Sequence, residues 1–509
     1  MTKKNRLATK ATAAAVGALA TVAVADLIQP RHSILRNYPV AGYARFLMEK
    51  IRPEIQQYFI ERNFDGEPFD RNTRTMIYRR AKGKDDHVAF GTERDLTAVG
   101  YESLVQSLAP LTPTDDDLRI TVGGPDCTQP YSASRFNISA MSFGALSARA
   151  VLAMNKGAAA GGFLHDTGEG GLTRYHLTYG ADLVWELGSG YYSTRTPDGR
   201  LDRAIFATTA ARPEVKMIEI KLSQGAKPGI GGMLPKEKIT EEVSEVRGVP
   251  RDRDCISPPA HPEFSTPREL VRFVAELREL AGGKPVGIKL CLGDRAQFLG
   301  ICRAMLEEGT GPDFITVDGA EGGTGSAPLE FQDSLGMHLS EGLMTVQNAL
   351  VGTGLRDRVT VGASGKIAGG ADIVRRMIQG ADITFAARPM MMAVGCIQAQ
   401  KCNTGNCPVG VATQDPLRQR AIDIDDKGER VHRYHDATVR EVIALLAAMG
   451  VRDPADLSHD MARVVLAPGD VRTFTEAYRW LAPGQLLGGD APADWARDWE
   501  RADADSFGR

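Results

Sequence analysis

From about residue 130 to residue 415, short apolar segments recur, and each runs into a glycine-rich turn. They are RFNISAMSFG, GGFLHDTGEGG, MIEIKLSQGAKPG, PVGIKLCLG, DFITVDGAEGGTG, RVTVGASGK and ADITFAARPM. Between several of them lie stretches with apolar residues at helical spacing, such as PRELVRFVAELRELAGG and AQFLGICRAMLEEG. Strands alternating with helices imply βαβ units and a parallel sheet. At least seven such segments fit a (β/α)8 TIM barrel better than an open sheet, which is the alternative. Polar residues and glycines gather just after each strand, where the active sites of barrels sit on the βα loops.

The flanks read differently. Residues 30–130 are expected to form a helical N-terminal extension, with RPEIQQYFIERNF its clearest stretch, and residues 417–509 a C-terminal helical region containing REVIALLAAMG. The barrel domain is expected over 131–416. It carries a longer irregular insert, KPGIGGMLPKEKITEEVSEVRGVPRDRDCISPPAHPEFS. Residues 1–29 form an apolar N-terminal segment. Lys3, Lys4, Arg6 and Lys10 precede an uncharged run from Ala11 to Ala25, which Asp26 ends. Such a run is short for a bilayer span of about 20 residues. Ala23-Val24-Ala25 imitates a signal-peptidase site. A membrane anchor and a plain Ala-rich helix fit equally, and secretion fits least, because the cysteine cluster described next suits a reducing compartment. The expected location is the cytoplasm, with membrane contact depending on this segment.

Composition narrows the function. The chain has 509 residues, 43% apolar and 25% charged, with a net charge of −3. This excludes a generally basic nucleic-acid binder. Glycine is abundant, at 54 residues against about 36 expected at average usage, as when backbone lies close to a ligand. Seven cysteines in so long a chain are no disulfide scaffold.

Three of those cysteines carry the sharpest signal. In GCIQAQKCNTGNCPVG, Cys396, Cys402 and Cys407 are spaced C-x5-C-x4-C. Three thiolates within twelve residues can meet at one soft metal centre if the loop folds back, which Gly405 permits. Structural zinc takes four ligands, and no histidine is near. A three-cysteine iron–sulfur cluster is therefore favoured over three unrelated buried thiols. Just upstream, GASGKIAGG and ITFAARPM occupy the places of the loops after barrel strands 7 and 8, which commonly bind a phosphate. Gly365, Gly369 and Gly370 would let backbone approach it, with Ala386, Ala387 and Arg388 opposite. Arg388 and Cys396 are at most about 28 Å apart even if fully extended. A phosphate-bearing redox cofactor so near a cluster suggests flavin mononucleotide (FMN), which exchanges single electrons yet delivers a hydride. On the same face, SQGAKPG supplies Gln224 and Lys227, PVGIKL supplies Lys289, DGAEGGTG supplies Asp318, Glu321, Gly322, Gly323 and Thr324, and TGEGG supplies Thr167 and Glu169. A lysine at a strand's C-terminal end can stabilise a reduced flavin or a substrate carboxylate. His432 and His435 are expected on a helix surface, and Cys127, Cys255, Cys291 and Cys302 in structural burial. GTG at 352–354 lacks the dinucleotide fingerprint, so no nicotinamide domain is indicated.

Together MSFGALS, TGEGG, IEIKLSQGAKPG, ISPPAH, GIKL, EGGTGSAPL and the block from GCIQAQKC to CPVGVATQDP resemble the FMN-binding synthase domain of glutamate synthase. The whole chain, including RHSILRNYP, resembles the shorter stand-alone members of that family. The resemblance implies a barrel holding FMN, with Ser142, Lys289, Glu321, Gly322, Gly323 and the two phosphate loops as cofactor contacts. It implies a 3Fe-4S cluster on Cys396, Cys402 and Cys407. It implies 2-oxoglutarate bound near Lys227, Gln224 and Glu169, condensing with ammonia to 2-iminoglutarate, which takes a hydride from the flavin to give L-glutamate. The expected partners are an ammonia source, with a separate glutaminase subunit one option, and an external electron donor such as ferredoxin or a reductase subunit. The chain starts Met-Thr-Lys-Lys rather than with the nucleophilic cysteine of a glutaminase domain, and no counterpart of the large enzymes' C-terminal β-helix is expected. Ser364 stands where the family carries an acidic residue, Ile230 where it carries Glu after AKPG, and AEGG replaces YDGG. Two alternatives keep the cofactors: an N-alkylglutamate synthase or other imino-acid reductase, and an electron-relay subunit without a substrate.

Overall fold

Side chains alternate along eight short strands, and that alternation builds the centre of the molecule. The computed structural model describes residues 3–114 and 118–508. The strands are β1 (Phe136–Ile138), β2 (His165–Asp166), β3 (Leu183–Leu187), β4 (Val215–Lys221), β5 (Val286–Leu290), β6 (Phe314–Asp318), β7 (Thr360–Ser364) and β8 (Ile383–Ala386). All pair in parallel and close into a barrel, with Phe385 opposite Asn137 where β8 meets β1. The fold is the (β/α)8 barrel expected. Seven of its strands lie in the seven apolar segments. The eighth, β3, is LVWEL, five buried residues in a row.

Helices follow the strands, and their starts are set by local chemistry. Thr266 accepts a hydrogen bond from the amide of Glu269, and Pro267 occupies the first turn of the helix Pro267–Leu280, both common at helix starts. That helix buries Leu270, Val271, Val274 and Leu277 along one stripe.

Successive side chains of a strand face opposite sides, so the barrel interior fills in layers. Leu164, Val184, Met217, Phe314 and Ile383 form an apolar floor, joined by Val122 and Ala133. Those last two belong to an antiparallel pair, Arg119–Val122 with Tyr131–Ser134, which plugs the N-terminal end of the barrel. Two residues further along the strands come Asp166, Glu186, Glu219, Lys289 and Thr316, all buried. The C-terminal mouth follows.

The flanks correct two expectations. Residues 30–130 do contain helices (Ser33–Asn37, Tyr43–Ile55, Arg71–Ala81), but Glu102–Leu104 is a strand that pairs antiparallel with Ala462–Ala467. Ala462–Ala467 in turn forms a hairpin with Asp470–Thr473, so the C-terminal region is not wholly helical. Glu102–Leu104 and Asp470–Thr473 are short edge strands on either side of Ala462–Ala467, and so short a strand leaves little pattern in the sequence. The chain divides into the compact units Met1–Arg71 and Asn72–Arg509. In the first unit the helix Lys3–Ile28 contains a stretch, Ala8–Ile28, long and apolar enough to cross a membrane. Its Asp26 is buried and accepts from the Val40 amide at 2.8 Å and the Tyr43 hydroxyl at 2.9 Å, folding the following segment back on the helix end.

His435 is not a surface residue. It lies on the helix Ile424–Ala448, stacked on Phe163 with ring centroids 3.8 Å apart. Its Nε2 is 2.9 Å from the Phe136 carbonyl and 3.0 Å from the Ser134 hydroxyl. Burial pushes its imidazole down to about 3, and burial does the same to His165. Folded-state values below the unfolded 6.5 mean that the unfolded chain takes up protons first as pH falls. Stability is therefore full above about 6.5 and lost progressively below it. Each such histidine costs about 2 kcal/mol at pH 5. Melting temperature should fall between pH 7 and pH 5, and His435→Phe should make that slope shallower.

Candidate active site

The mouth of the barrel is lined by charged side chains held by one another. Lys221, the last residue of β4, points along the same face as Glu219. Its Nζ lies 2.9 Å from Glu169 Oε1 and donates to Gln224 Oε1 at 3.0 Å. Gln224 Nε2 in turn donates to the Gly323 carbonyl at 2.9 Å. This one chain of contacts joins the loops after β2, β4 and β6. Asp318, at the end of β6, accepts from the Gly225 amide at 2.7 Å and fixes the turn that carries Lys227. Lys227 is buried and donates to the Ser326 carbonyl at 3.3 Å.

Electrostatics separate these groups. Burial alone would raise the Glu169 carboxyl, but Lys221 and Lys227 overcome it and hold the group down at about 2. Glu169 is thus ionised at every working pH. Burial lowers Lys227 to about 8, Lys221 adds to the shift, and Glu169 opposes it. The cluster therefore pairs one permanent anion with one ammonium that titrates near neutrality. Of the residues expected here, Glu169, Gln224 and Lys227 come together. Lys221, inside the quoted IEIKLSQG, is the bridging residue that the sequence reading did not single out. Period-two counting back from the strand end would have found it.

The neighbouring loops offer a second, more open wall. Ser364 on β7 and Phe385 on β8 are register partners, so Gly365 and Lys366 leave the barrel beside Ala386, Ala387 and Arg388. Gly365 has φ +148°, a conformation for glycine. Arg388 Nη2 donates to the Glu321 carbonyl at 2.9 Å. A Cβ at Gly323 would lie 2.7 Å from Arg388 Nε, so only glycine lets that guanidinium across. The Glu321 carboxylate accepts from the Leu339 amide at 2.9 Å, and the Gly322 amide closes a turn on Gly319. Ser142 accepts from Arg247 Nη2 at 3.2 Å. Half-buried backbone, two cations and a glycine turn side by side fit a phosphate-bearing group.

Three further residues of the expected set make contacts within the protein. The Gly369 amide donates to Asp372 at 3.0 Å. Gly370 packs on the helix Ile424–Ala448, where a Cβ would lie 2.9 Å from Glu441 Cγ. Both glycines stand at the start of the helix Gly370–Ile378. Lys289 lies a layer below the mouth, paired with Glu186, 3.1 Å from Glu219 and 4.0 Å from Asp166. Burial raises Glu219 well above the usual carboxyl range, and Asp166 adds to it. Thr316 donates to Glu219 at 2.6 Å.

Beyond β8 the helix Arg388–Val394 leads straight to Cys396. At about 1.5 Å of rise per residue the step from Arg388 is about 12 Å. Cys396, Cys402 and Cys407 are free thiols. Burial pushes the Cys396 thiol up to about 12, and charges on Cys402 and Cys407 would raise it further, so the three sulfurs are electrostatic neighbours. Among the described residues they form no group with all sulfurs within 4.8 Å of one another. A single tetrahedral ion at about 2.3 Å from each sulfur would need them closer, roughly 3.8 Å apart. The donor set fits a polynuclear centre better than one ion. Tyr78 donates to the Cys396 carbonyl at 2.8 Å, and Gln414 donates to Gly144 and Leu146 at 3.1 and 2.7 Å. The cysteine loop is thereby tied to the loop after β1.

A closed parallel barrel with a charged layer under its C-terminal mouth is the architecture of a barrel enzyme, here an oxidoreductase. Residues 110–452 match the conserved region in glutamate synthase, and the chain belongs to the glutamate synthase family. It is 35% identical over 482 residues to the glutamate synthase large subunit-like protein YerD of Bacillus subtilis, covering 87% of this chain and 91% of that one. It is 33% identical over 328 residues to the archaeal glutamate synthase (NADPH) of Methanocaldococcus jannaschii, covering 64% and 61%. It is 32% identical over 341 residues to ferredoxin-dependent glutamate synthase 2 of Synechocystis, covering 64% and 21%. The chain thus spans nearly all of the first relative but less than two thirds of the other two.

Removing Lys289 takes away the one cation that Asp166, Glu186 and Glu219 share. Lys289→Met should cost about 3–5 kcal/mol at pH 7. The deficit against wild type should shrink toward pH 5.5 as the carboxyls protonate, read by chemical denaturation across that range.

Proposed function

We propose that the chain is an FMN-dependent and iron–sulfur-dependent glutamate synthase, acting in the sense of a CH–NH2 oxidoreductase, that aminates 2-oxoglutarate reductively to L-glutamate through 2-iminoglutarate. The observation that carries this reading is the meeting of three features at one barrel mouth: the Lys221–Glu169–Gln224–Lys227 cluster, the paired loops after β7 and β8, and the three-cysteine loop one short helix away. Gly365, Lys366, Ala386, Ala387 and Arg388 would hold the FMN phosphate, with Ser142, Glu321, Gly322 and Gly323 around the ring system. Cys396, Cys402 and Cys407 would hold a 3Fe-4S cluster. Bound FMN supplies the hydride for the imine carbon and accepts single electrons.

The chain's own residues do the rest. Lys227 and Lys221 present two ammonium groups to a dianionic oxo acid. Gln224, held at both ends of its amide, fixes the wall of the pocket. Glu169 stays ionised and steers a cationic amine toward the same place, but a carboxyl held near 2 is a poor proton carrier. Lys227, near 8, is the group that gives up a proton when the oxo oxygen departs as water. The nitrogen is ammonia, free or delivered by a glutaminase subunit. The donor is an external protein such as ferredoxin or a reductase subunit; the Synechocystis relative is named for ferredoxin and the Methanocaldococcus relative for NADPH.

Anaerobically purified protein should show flavin absorption and about three irons per chain, and Cys402→Ala should lose the iron. A preparation that takes up neither flavin nor iron would end the proposal. Assayed with ammonia and, separately, methylamine, it should prefer ammonia. KM for 2-oxoglutarate should be flat below about pH 8 and rise above it as Lys227 loses its proton. Lys227→Met should raise KM ten- to hundredfold, the worth of a charge-assisted hydrogen bond of about 1.5–3 kcal/mol, and make it independent of pH.

The helix Lys3–Ile28 is read as a membrane tether, since Ala8–Ile28 at about 1.5 Å per residue spans about 31 Å, close to a hydrocarbon core. Deleting residues 1–28 should move the protein from the membrane to the soluble fraction without loss of specific activity.

A further inference from the structure

Lys238 is one of the most deeply buried side chains of the fold, at 2% exposure. It belongs to none of the groups at the barrel mouth. It lies in the insert, in the turn Lys236–Lys238 that precedes the helix Glu241–Arg247. Its Nζ donates to two carbonyls, Ala145 at 2.5 Å and Cys402 at 3.2 Å. Its stem runs past Gly405, whose added Cβ would lie 3.8 Å from Lys238 Cγ. Among the described residues it has no carboxylate partner. A buried ammonium without a counter-charge costs several kcal/mol, so the fold must meet that charge in another way. Thiolates at Cys402 and Cys407, once ionised by a bound centre, would supply that counter-charge.

We propose that Lys238 is the built-in counter-cation of the three-cysteine centre, a positioning residue that holds the centre's reduction potential up. The inference rests on the iron–sulfur reading above. Its physical basis is charge. Three thiolates around a 3Fe-4S core give an anionic centre. When one electron enters, the centre gains one negative charge, and no bond breaks. A fixed positive charge bonded to the cysteine loop stabilises the reduced form more than the oxidised one, in an interior where the field is weakly screened. Peptide dipoles from Ala145 and Cys402 hold the ammonium in place. Because Lys238 is on the insert, the same contact locks the insert to the cysteine loop.

The test uses the full-length holoprotein and three readouts: iron per chain, flavin per chain, and the one-electron midpoint of the cluster in a dithionite titration followed by paramagnetic resonance. Lys238→Met keeps the length of the stem and removes the charge; Lys238→Arg keeps the charge. With iron retained, Lys238→Met should lower the reduction equilibrium at least tenfold, a fall of about 59 mV for one electron, and Lys238→Arg should restore most of it. Loss of iron in the Met variant alone, with flavin unchanged, also supports a charge role. An unchanged midpoint in the Met variant, or loss of iron from both variants with flavin unchanged, overturns the proposal. Wild-type protein without iron would instead overturn the iron–sulfur reading itself.

Discussion

Water does not reach the middle layer of the barrel, and that layer is charged. Lys289 stands among Asp166, Glu186 and Glu219, all at or below 4% exposure. Moving an ion from water into such an interior costs several kcal/mol, and an apolar layer of similar volume would be no less stable. What the charges provide is direction. Lys289 is one cation against three carboxyls, so the layer also holds protons, and burial keeps Glu219 protonated well above the usual range. The lattice can persist only if the strands keep register, because a slip of one residue would turn Glu219 or Lys289 out of the barrel. Register in turn fixes where each strand ends, and hence where Lys221, Asp318 and Ser364 stand at the mouth.

Above that layer, the site is assembled by contacts between loops that are distant in sequence. Gln224 bonds to Gly323 and Asp318 to Gly225, so the loops after β4 and β6 hold each other. Arg247 reaches from the insert to Ser142 and to the Phe143 carbonyl at 3.0 Å. Lys238 reaches from the same insert to the cysteine loop. The insert, irregular in sequence, thus acts as a brace over one side of the mouth, touching both the wall suited to a flavin and the thiols suited to a cluster. Two positive charges, Arg247 and Lys238, do most of the bracing. That placement suits a site meant to collect anions.

How much of this was legible follows from what each signal depends on. The barrel was legible because glycine-rich turns after apolar strands are local. The cysteine loop was legible because its three thiols are close in sequence. β3 was missed because LVWEL carries its glutamate in the middle of an apolar run, and an inward-facing acid contradicts the usual strand pattern. Lys221 and Lys238 were passed over because a lysine's burial depends on what folds over it. His435 was misplaced for the same reason: its aromatic and carbonyl partners, Phe163 and Phe136, lie far away in the chain. The contact that demands glycine at Gly370 is with a helix some seventy residues later, which no local pattern reveals.

Those misses share a cause that bears on function. Local patterns report the scaffold and the cofactor loops, which are built from contiguous segments. Groups that tune chemistry act through space, and the sequence places them without marking them. Lys227 is depressed by burial and by Lys221, against the pull of Glu169. Ser364 ends β7 and the AEGG turn follows β6, so both stand at the mouth above the charged layer. Ser364 lies 3.3 Å from the Ser139 hydroxyl, a neutral contact where an acid would bring charge. Charge at the mouth is therefore set by Lys221, Lys227 and Glu169, standing on a buried layer that keeps the strands in register.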